Sequence, residues 1–504
     1  MQFGHKRGLS SFSFPCAIAL AALTYLSQPL LAADYYVDPN YAGVNGAPFN
    51  GYAGAYNTVA AALGSSGIPS GASAANPNRL FFAPGVYNTA NVTGVSLSNS
   101  RNNIALIGLT NNPDDVVITS TLDSTYNPGS GALGTTGSST LQLKGSNTTA
   151  VNITFANSTN TPYIVNVAHQ AVSPQGNYAT GQSQTANSPA VALLLQGDQQ
   201  AFQNCKFLGY QDTLYTKGGR AYFKDCLVSG DIDFIFANGT SVFKNSTINL
   251  DGDHPGGTIT AASTDKRTSN GLVFLNSTIT GNSVKGNPVI DPQNAANASG
   301  PSANNMYLGR PWGWQQTGGD ASTVFINTKM TPAIRALGWL NWNANELNAA
   351  NGKNDGNPAK DTRYAEFNSM DLVGNPLDVS GRVAWQHQLT PAQAAAFTEA
   401  NLFAFEDPSQ FPWFGQGYAG SADPTDPAYS WPAFWGNRNS NNDTANSIVS
   451  AVYPAPGNPS AYSNPSWIIP GAWDPNAQLS TVPEPASIGL IVFATSVISR
   501  RRRA

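Results

Sequence analysis

Residues 202–239 read FQNCKFLGYQDTLYTKGGRAYFKDCLVSGDIDFIFANG, and the reading of this stretch decides the fold. Phe202-Gln203-Asn204-Cys205 returns twenty-one residues on as Phe223-Lys224-Asp225-Cys226, and twenty further on as Phe243-Lys244-Asn245-Ser246. Looser copies follow at Phe274-Leu275-Asn276-Ser277 and Phe325-Ile326-Asn327-Thr328. Each copy leads into alternating apolar and polar residues, as in Ser246-Thr247-Ile248-Asn249-Leu250, the pattern of a strand. A period just above twenty with short β segments and Asn at a fixed place describes a stacked β-solenoid, whose coils bury apolar residues only against their neighbours.

Stacking has a chemical consequence. Residues one period apart lie roughly 4.8 Å above one another. Asp212 and Asp233 share the offset of Cys205 and Cys226, so the register puts two carboxylates on adjacent coils. Two acids that close do not both ionise easily, and one keeps its proton to higher pH unless a cation intervenes. An acid beside a carboxylate supplies a proton donor and a nucleophile or base. Two solvated carboxylates on a polar face have the same spacing, so spacing alone leaves both readings open.

Three runs then resemble the pectinesterase (pectin methylesterase) family. They are Gly209-Tyr210-Gln211-Asp212-Thr213-Leu214-Tyr215, Asp233-Phe234-Ile235-Phe236 and Leu308-Gly309-Arg310-Pro311-Trp312, in the family's order. Ala190-Val191-Ala192-Leu193, Gly338-Trp339-Leu340-Asn341-Trp342 and Arg363-Tyr364-Ala365-Glu366-Phe367-Asn368 support them. The resemblance runs from about Tyr35 to about Phe397. It implies an all-β chain, a right-handed single-stranded parallel β-helix of the pectin lyase-like kind, acting on pectin (homogalacturonan) as a monomer.

By resemblance Asp233 is the nucleophile on the methyl-ester carbonyl. Asp212 is first the acid that protonates methoxide and then the base that activates water. Arg310 orients Asp233, and Gln211 donates its amide to the oxyanion. Tyr215, Phe236, Trp312 and Trp339 match positions lining the family's sugar groove, with core packing the other reading, above all for Phe236. No metal or organic cofactor is expected. One departure stands out. The family carries a second Gln directly before Ala190-Val191-Ala192-Leu193, and here that residue is Pro189, which has neither an amide side chain nor a backbone N–H. Loss of one oxyanion donor costs about 10²–10³ in rate; a neighbour such as Ser188 is one substitute, and a changed substrate is another outcome.

The rest of the chain bounds these readings. Residues 1–33 read as a secretion signal, with Lys6 and Arg7 ahead of an apolar run and Leu31-Ala32-Ala33 at a cleavage site. Cys16 leaves with it, so the mature chain has Cys205 and Cys226, either a disulfide between neighbouring coils or a buried thiol stack. Charged residues make up 11% against about 25% in ordinary soluble domains, and net charge is −4 without a basic stripe outside the two ends, which excludes nucleic acid as a partner. Thr58-Val59-Ala60-Ala61-Ala62-Leu63 reads as a helix capping the open end of the solenoid.

His169, His254 and His387 lack metal-ligand spacing, no Gly-X-Ser-X-Gly elbow occurs, and Asp251, Asp253 and His254 form a polar turn with a calcium site as the lesser alternative. Trp314, in an insertion from Gly313 to Ser322, has no assigned role. The domain is expected to span 34–405. A Pro/Asn/Trp-rich wrap or linker follows over 406–481. Residues 482–504, with Val482-Pro483-Glu484-Pro485, an apolar run and Arg500 to Arg503, resemble the bacterial Pro-Glu-Pro (PEP-CTERM) sorting signal. Its apolar part is short for a stable span, so transient membrane contact and a secreted or cell-surface location are expected. Two other functions stay in view: another polysaccharide enzyme on the same scaffold (a lyase or glycosidase), and a surface carbohydrate-binding protein without catalysis.

Overall fold

The computed structural model describes residues 32–89, 97–158, 164–165, 171–172, 189–250, 256–265, 270–281, 303–312, 319–340, 342, 362–383, 386–403 and 473–483. Ser188, His169, the Asp251–His254 turn, Trp314, most of the signal segment, residues 404–472 and nearly all of the C-terminal signal lie outside them.

The repeat read from the sequence is the repeat of the fold. One coil consists of the strands Gln200–Gln203, Lys206–Leu208 and Leu214–Thr216, and the next of Arg220–Lys224, Leu227–Gly230 and Ile232–Ala237. Each strand pairs in parallel with its counterpart one coil away, which builds three long sheets along a parallel β-helix. Phe202 pairs with Phe223, Phe223 with Phe243, Phe243 with Phe274 and Phe274 with Phe325, so even the loose sequence copies are in register. Their rings form one internal stack with centroid separations of 5.1, 4.5, 4.7 and 4.4 Å. The wider sequence gaps between the later copies leave the stack unbroken.

The residue after each repeat's polar position turns the chain. Asn204, Asp225, Asn245, Asn276, Asn327 and Asn368 all hold left-handed backbone, with φ between 49° and 53°, a region open to Asn and Asp at little cost. Their amides form a ladder, as in the bonds from Asn327 Nδ2 to Asn276 Oδ1 (3.1 Å) and from Asn368 Nδ2 to Asn327 Oδ1 (2.9 Å). The next residue points inward. Cys205 and Cys226 are buried free thiols in that column, continued by Ser246 and Ser277, so the pair is a thiol stack. The Ser246 hydroxyl takes a hydrogen bond from Cys226 N.

At the N-terminal end the helix Val59–Leu63, capped by the Thr58 hydroxyl on Ala61 N, buries Val59, Ala62 and Leu63 against the first coil. At the other end of the chain the helix Pro475–Leu479 lies on the outer face of the longest sheet. Gln478 Nε2 donates to Thr149 Oγ1 at 3.0 Å and Gln199 O at 3.2 Å, and Trp473 Nε1 donates to Gln478 Oε1 at 2.7 Å. Trp473 and Leu479 are buried there. The last ten or so residues of the 406–481 extension therefore pack as part of the solenoid and do not act as a free linker.

Candidate active site

The site lies on the seven-stranded sheet, where the strands Leu214–Thr216, Ile232–Ala237, Thr258–Ala262 and Tyr307–Pro311 succeed one another. Gln211 pairs with Ile232 and Leu214 with Ile235, so Asp212 and Asp233 occupy the same place on adjacent rungs. Both are left-handed, at φ 61° and 49°. The next rung lacks that extra residue: Ile232 pairs with Thr258 and Ile235 with Thr260, which makes a β-bulge at Asp233. A bulge re-aims a side chain out of the pleat, and here it aims a buried carboxylate at the strand above.

Arg310, two rungs beyond Asp233, meets that carboxylate side-on. Its Nε donates to Oδ1 at 2.9 Å and its Nη2 to Oδ2 at 2.5 Å. Burial opposes the charge on the guanidinium, and the hydrogen bonds and charge of Asp233 more than offset it. Gly309 beside it is required: a Cβ would collide with the Thr260 side chain. Thr258 Oγ1 donates to Asp233 Oδ1 at 2.5 Å and accepts from Asp233 N at 3.1 Å.

Among the described residues Asp212 has no such cation bound to it. It keeps a small exposed surface but is otherwise enclosed by protein. Burial first, and the charge of Asp233 second, push its carboxyl well above the usual carboxylate range, with Arg310 a weaker pull the other way. Val191 lies on the rung below Asp212, since Ala190 N bonds Gln211 O and Ala192 N bonds Thr213 O. The two carboxyls thus differ in kind, one held by Arg310 and Thr258 and one desolvated and raised well above the usual carboxylate range. Gln211 is buried next to Asp212. Pro189 lies one rung below Gln211, its carbonyl taken by Ser124 N at 2.8 Å.

An aromatic wall flanks the acids. Tyr215 stacks on Phe236 at 4.0 Å, and Trp312 meets both edge-on at 6.4 and 5.9 Å. Trp339 is not part of it. It is 1% exposed and packs inward on Tyr364 at 4.4 Å and Phe325 at 5.7 Å, so the expectation that it lines a groove is corrected. Gly309 pairs with Trp339 in the ladder, which turns that side chain to the core. Trp342, three residues on, takes the place: it packs against the Tyr215 cluster and covers the Arg310 guanidinium at 4.4 Å. The motif held both tryptophans, and the ladder contact at Gly309 decides which of them faces inward. Thr258 carried no signal in the sequence. His387 sits at the far end of the solenoid, buried and without part in the site. Among the described residues no group of three or more His, Cys, Asp and Glu side chains is placed to hold a metal ion.

Pectinesterase 31 of Arabidopsis thaliana is 34% identical over 282 residues, which cover 56% of this chain and 68% of that protein. The chain belongs to the pectinesterase family. A model of the pectinesterase family matches residues 176–406, the part that holds both acids and Arg310. The probable pectinesterase/pectinesterase inhibitor 58 of the same plant is 31% identical, and there the match covers 72% of this chain but only 53% of the relative. Among solved structures, the pectin methylesterase of Yersinia enterocolitica is 32% identical with a TM-score of 0.50, covering 69% of this chain and 98% of that one. That of Erwinia chrysanthemi is 28% identical with a TM-score of 0.52, covering 74% and 96%. As a pectinesterase the protein is a carboxylic ester hydrolase, and nearly the whole of those bacterial folds has a counterpart within its solenoid.

Proposed function

We propose that this pectinesterase hydrolyses the methyl esters of pectin through Asp233 as nucleophile and Asp212 as acid and then base. The observation that carries the reading is the asymmetry of the pair: Arg310 grips Asp233 with two hydrogen bonds, while Asp212 has no such partner among the described residues and burial raises its carboxyl well above the usual carboxylate range. A carboxylate oxygen of Asp233 attacks the ester carbonyl carbon, and the Gln211 amide receives the oxyanion. Collapse breaks the bond to methoxide, which leaves as methanol with the Asp212 proton. Asp212, now a carboxylate, takes a proton from water as that water attacks the acyl carbon, and Asp233 departs as a carboxylate beside Arg310. The partly exposed Trp312 and Trp342, backed by the stacked Tyr215 and Phe236, suit the apolar faces of pyranose rings. A solved pectin methylesterase has been captured with a hexasaccharide, which supports a polymeric substrate here.

Pro189 favours a second reading, a pectin-binding protein without turnover. One experiment separates the two. Methanol release from highly methylated pectin by the full chain, absent from Asp233→Ala, supports the esterase. Pectin bound by both with no methanol from either overturns it.

Export is part of the proposal. The basic and apolar start of the chain and the Val482-Pro483-Glu484-Pro485 run with its arginine-rich end support a bacterial protein carried out of the cytoplasm, processed during transient contact with the membrane, and released or held at the surface as a monomer. The packed Trp473–Leu479 segment, directly ahead of that run, supports it by giving the signal a fixed point of departure. Fractionation of a host expressing the full chain tests this: enzyme found only in the cytoplasm with an uncut C-terminus would sink it.

A further inference from the structure

Thr258 has a part in the site that none of the family motifs includes. A carboxylate oxygen offers two lone-pair directions to donors. Oδ1 of Asp233 fills both, one with the Thr258 hydroxyl at 2.5 Å and one with Arg310 Nε at 2.9 Å. Oδ2 takes Arg310 Nη2 at 2.5 Å and only a longer 3.2 Å approach from Nε, so it keeps a lone pair for chemistry. The Thr258 hydroxyl has one proton, and its direction is set: Asp233 N–H points into the same oxygen at 3.1 Å, which leaves the hydroxyl to donate.

That reciprocal arrangement depends on the bulge. Left-handed backbone at Asp233 and the skipped rung between Ile232 and Ile235 take the Asp233 N–H out of the strand ladder and aim it at Thr258. Thr258 is in turn rigid. It is 2% exposed, its N–H bonds Asp231 O at 3.0 Å, and its strand pairs with Tyr307 on the other side. A β-branched side chain in such a strand has little χ1 freedom.

We propose that Thr258 is a positioning residue that fastens Oδ1 of Asp233 and leaves Oδ2 as the oxygen that attacks the ester. The inference rests on Asp233 being the nucleophile. In the step itself the bond from Oδ2 to the acyl carbon forms and the bond to methoxide breaks, with the Asp212 proton going to methoxide. Oδ1 becomes the carbonyl oxygen of the mixed anhydride, still within reach of both donors. Fixing one oxygen holds the other on its line of approach, and positioning of that kind acts on the chemical step more than on substrate binding.

The test compares wild type, Thr258→Val, Thr258→Ser and Thr258→Ala in the full chain. It reads kcat, KM and the thermal midpoint. Valine keeps the shape without the hydroxyl. The expected result is a kcat for Thr258→Val lower by about 10–100-fold, in line with losing a hydrogen bond to a charged group, with KM within about twofold. Serine restores kcat to within about threefold. A valine variant with wild-type kcat overturns the proposal, and so does a loss that serine does not recover or one carried by KM. Should valine fail to fold, alanine against serine decides by the same criteria. Wild type that releases no methanol would instead strike the esterase reading itself, separately from Thr258.

Discussion

Asp212 and Asp233 stand at the same point of successive coils, both in left-handed backbone, yet among the described residues only Asp233 is held by a cation. The chain therefore repeats a left-handed turn and varies what surrounds it. Asp212 is enclosed by protein over Val191 and feels the charge of Asp233, which raises its carboxyl well above its ordinary value near 3.8. The folded state then binds a proton more tightly than the unfolded chain between that value and the raised one. Stability is fully present below the lower limit and is lost as pH rises through the window. Asp212→Asn, which removes the charge, is expected to abolish methanol release while raising the thermal midpoint at neutral pH by on the order of 1–3 °C. Calorimetry of the variant at pH 4 and pH 7 checks the sign: the gain must appear at pH 7 and shrink at pH 4.

Pro189 occupies the rung below Gln211, with its carbonyl committed to Ser124 N. Nothing on its side chain can donate to an oxyanion, so in the proposed mechanism Gln211 carries that duty without the second Gln that the resemblance leads one to expect. Gln211→Ala is expected to lower kcat by about 10²–10³. Pro189→Gln restores an amide at the family's position and is expected to raise kcat about tenfold or more, with KM little changed. A Pro189→Gln variant no faster than wild type would mean that the oxyanion is already served by another donor.

The repeat made the fold legible because a solenoid writes its register into the sequence: one Phe, one Asn or Asp and one small inward residue per coil. The pairing of Asp212 with Asp233 followed from the same period. Less legible was anything set by direction rather than spacing. Trp339 and Trp342 lie in one motif, and only the ladder contact at Gly309 turns the first into the core and the second onto Arg310. Thr258 is twenty-five residues from Asp233, and the bulge that joins them is a backbone irregularity with no residue type of its own. The docking of Trp473–Leu479 was only half legible, since composition reads that region as a wrap or a linker, and the contacts with Thr149 and Gln199 show the packed form over its last residues.

The two tryptophans should separate cleanly by experiment. Trp342 covers Arg310 at its half-exposed edge, so Trp342→Ala is expected to lower kcat/KM by about 3–30-fold, as a cation–π contact of roughly 0.5–2 kcal/mol is lost, with the thermal midpoint hardly moved. Trp339→Ala leaves a void beside Phe325 and Tyr364 and is expected to cost about 3–5 kcal/mol of stability. Chemical denaturation and steady-state kinetics on both variants give the answer. Equal losses of stability would contradict the assignment.

His387, on the last rung beside Ala365, is buried and its pKa is lowered by that burial from an ordinary value near 6.5 to about 4. Between those values the unfolded chain binds a proton that the folded protein refuses, so stability rises with pH across the window and is lost as pH falls through it. The sign is opposite to that of Asp212, and the acid limb of stability reports the balance of the two. In an Asp212→Asn background the opposing contribution is gone, and the thermal midpoint should fall more steeply from pH 6.5 to pH 4 than in wild type. Adding His387→Gln should flatten that fall, because a glutamine of similar size carries no proton equilibrium. A slope unchanged by His387→Gln would show that another group governs acid unfolding at this end of the solenoid.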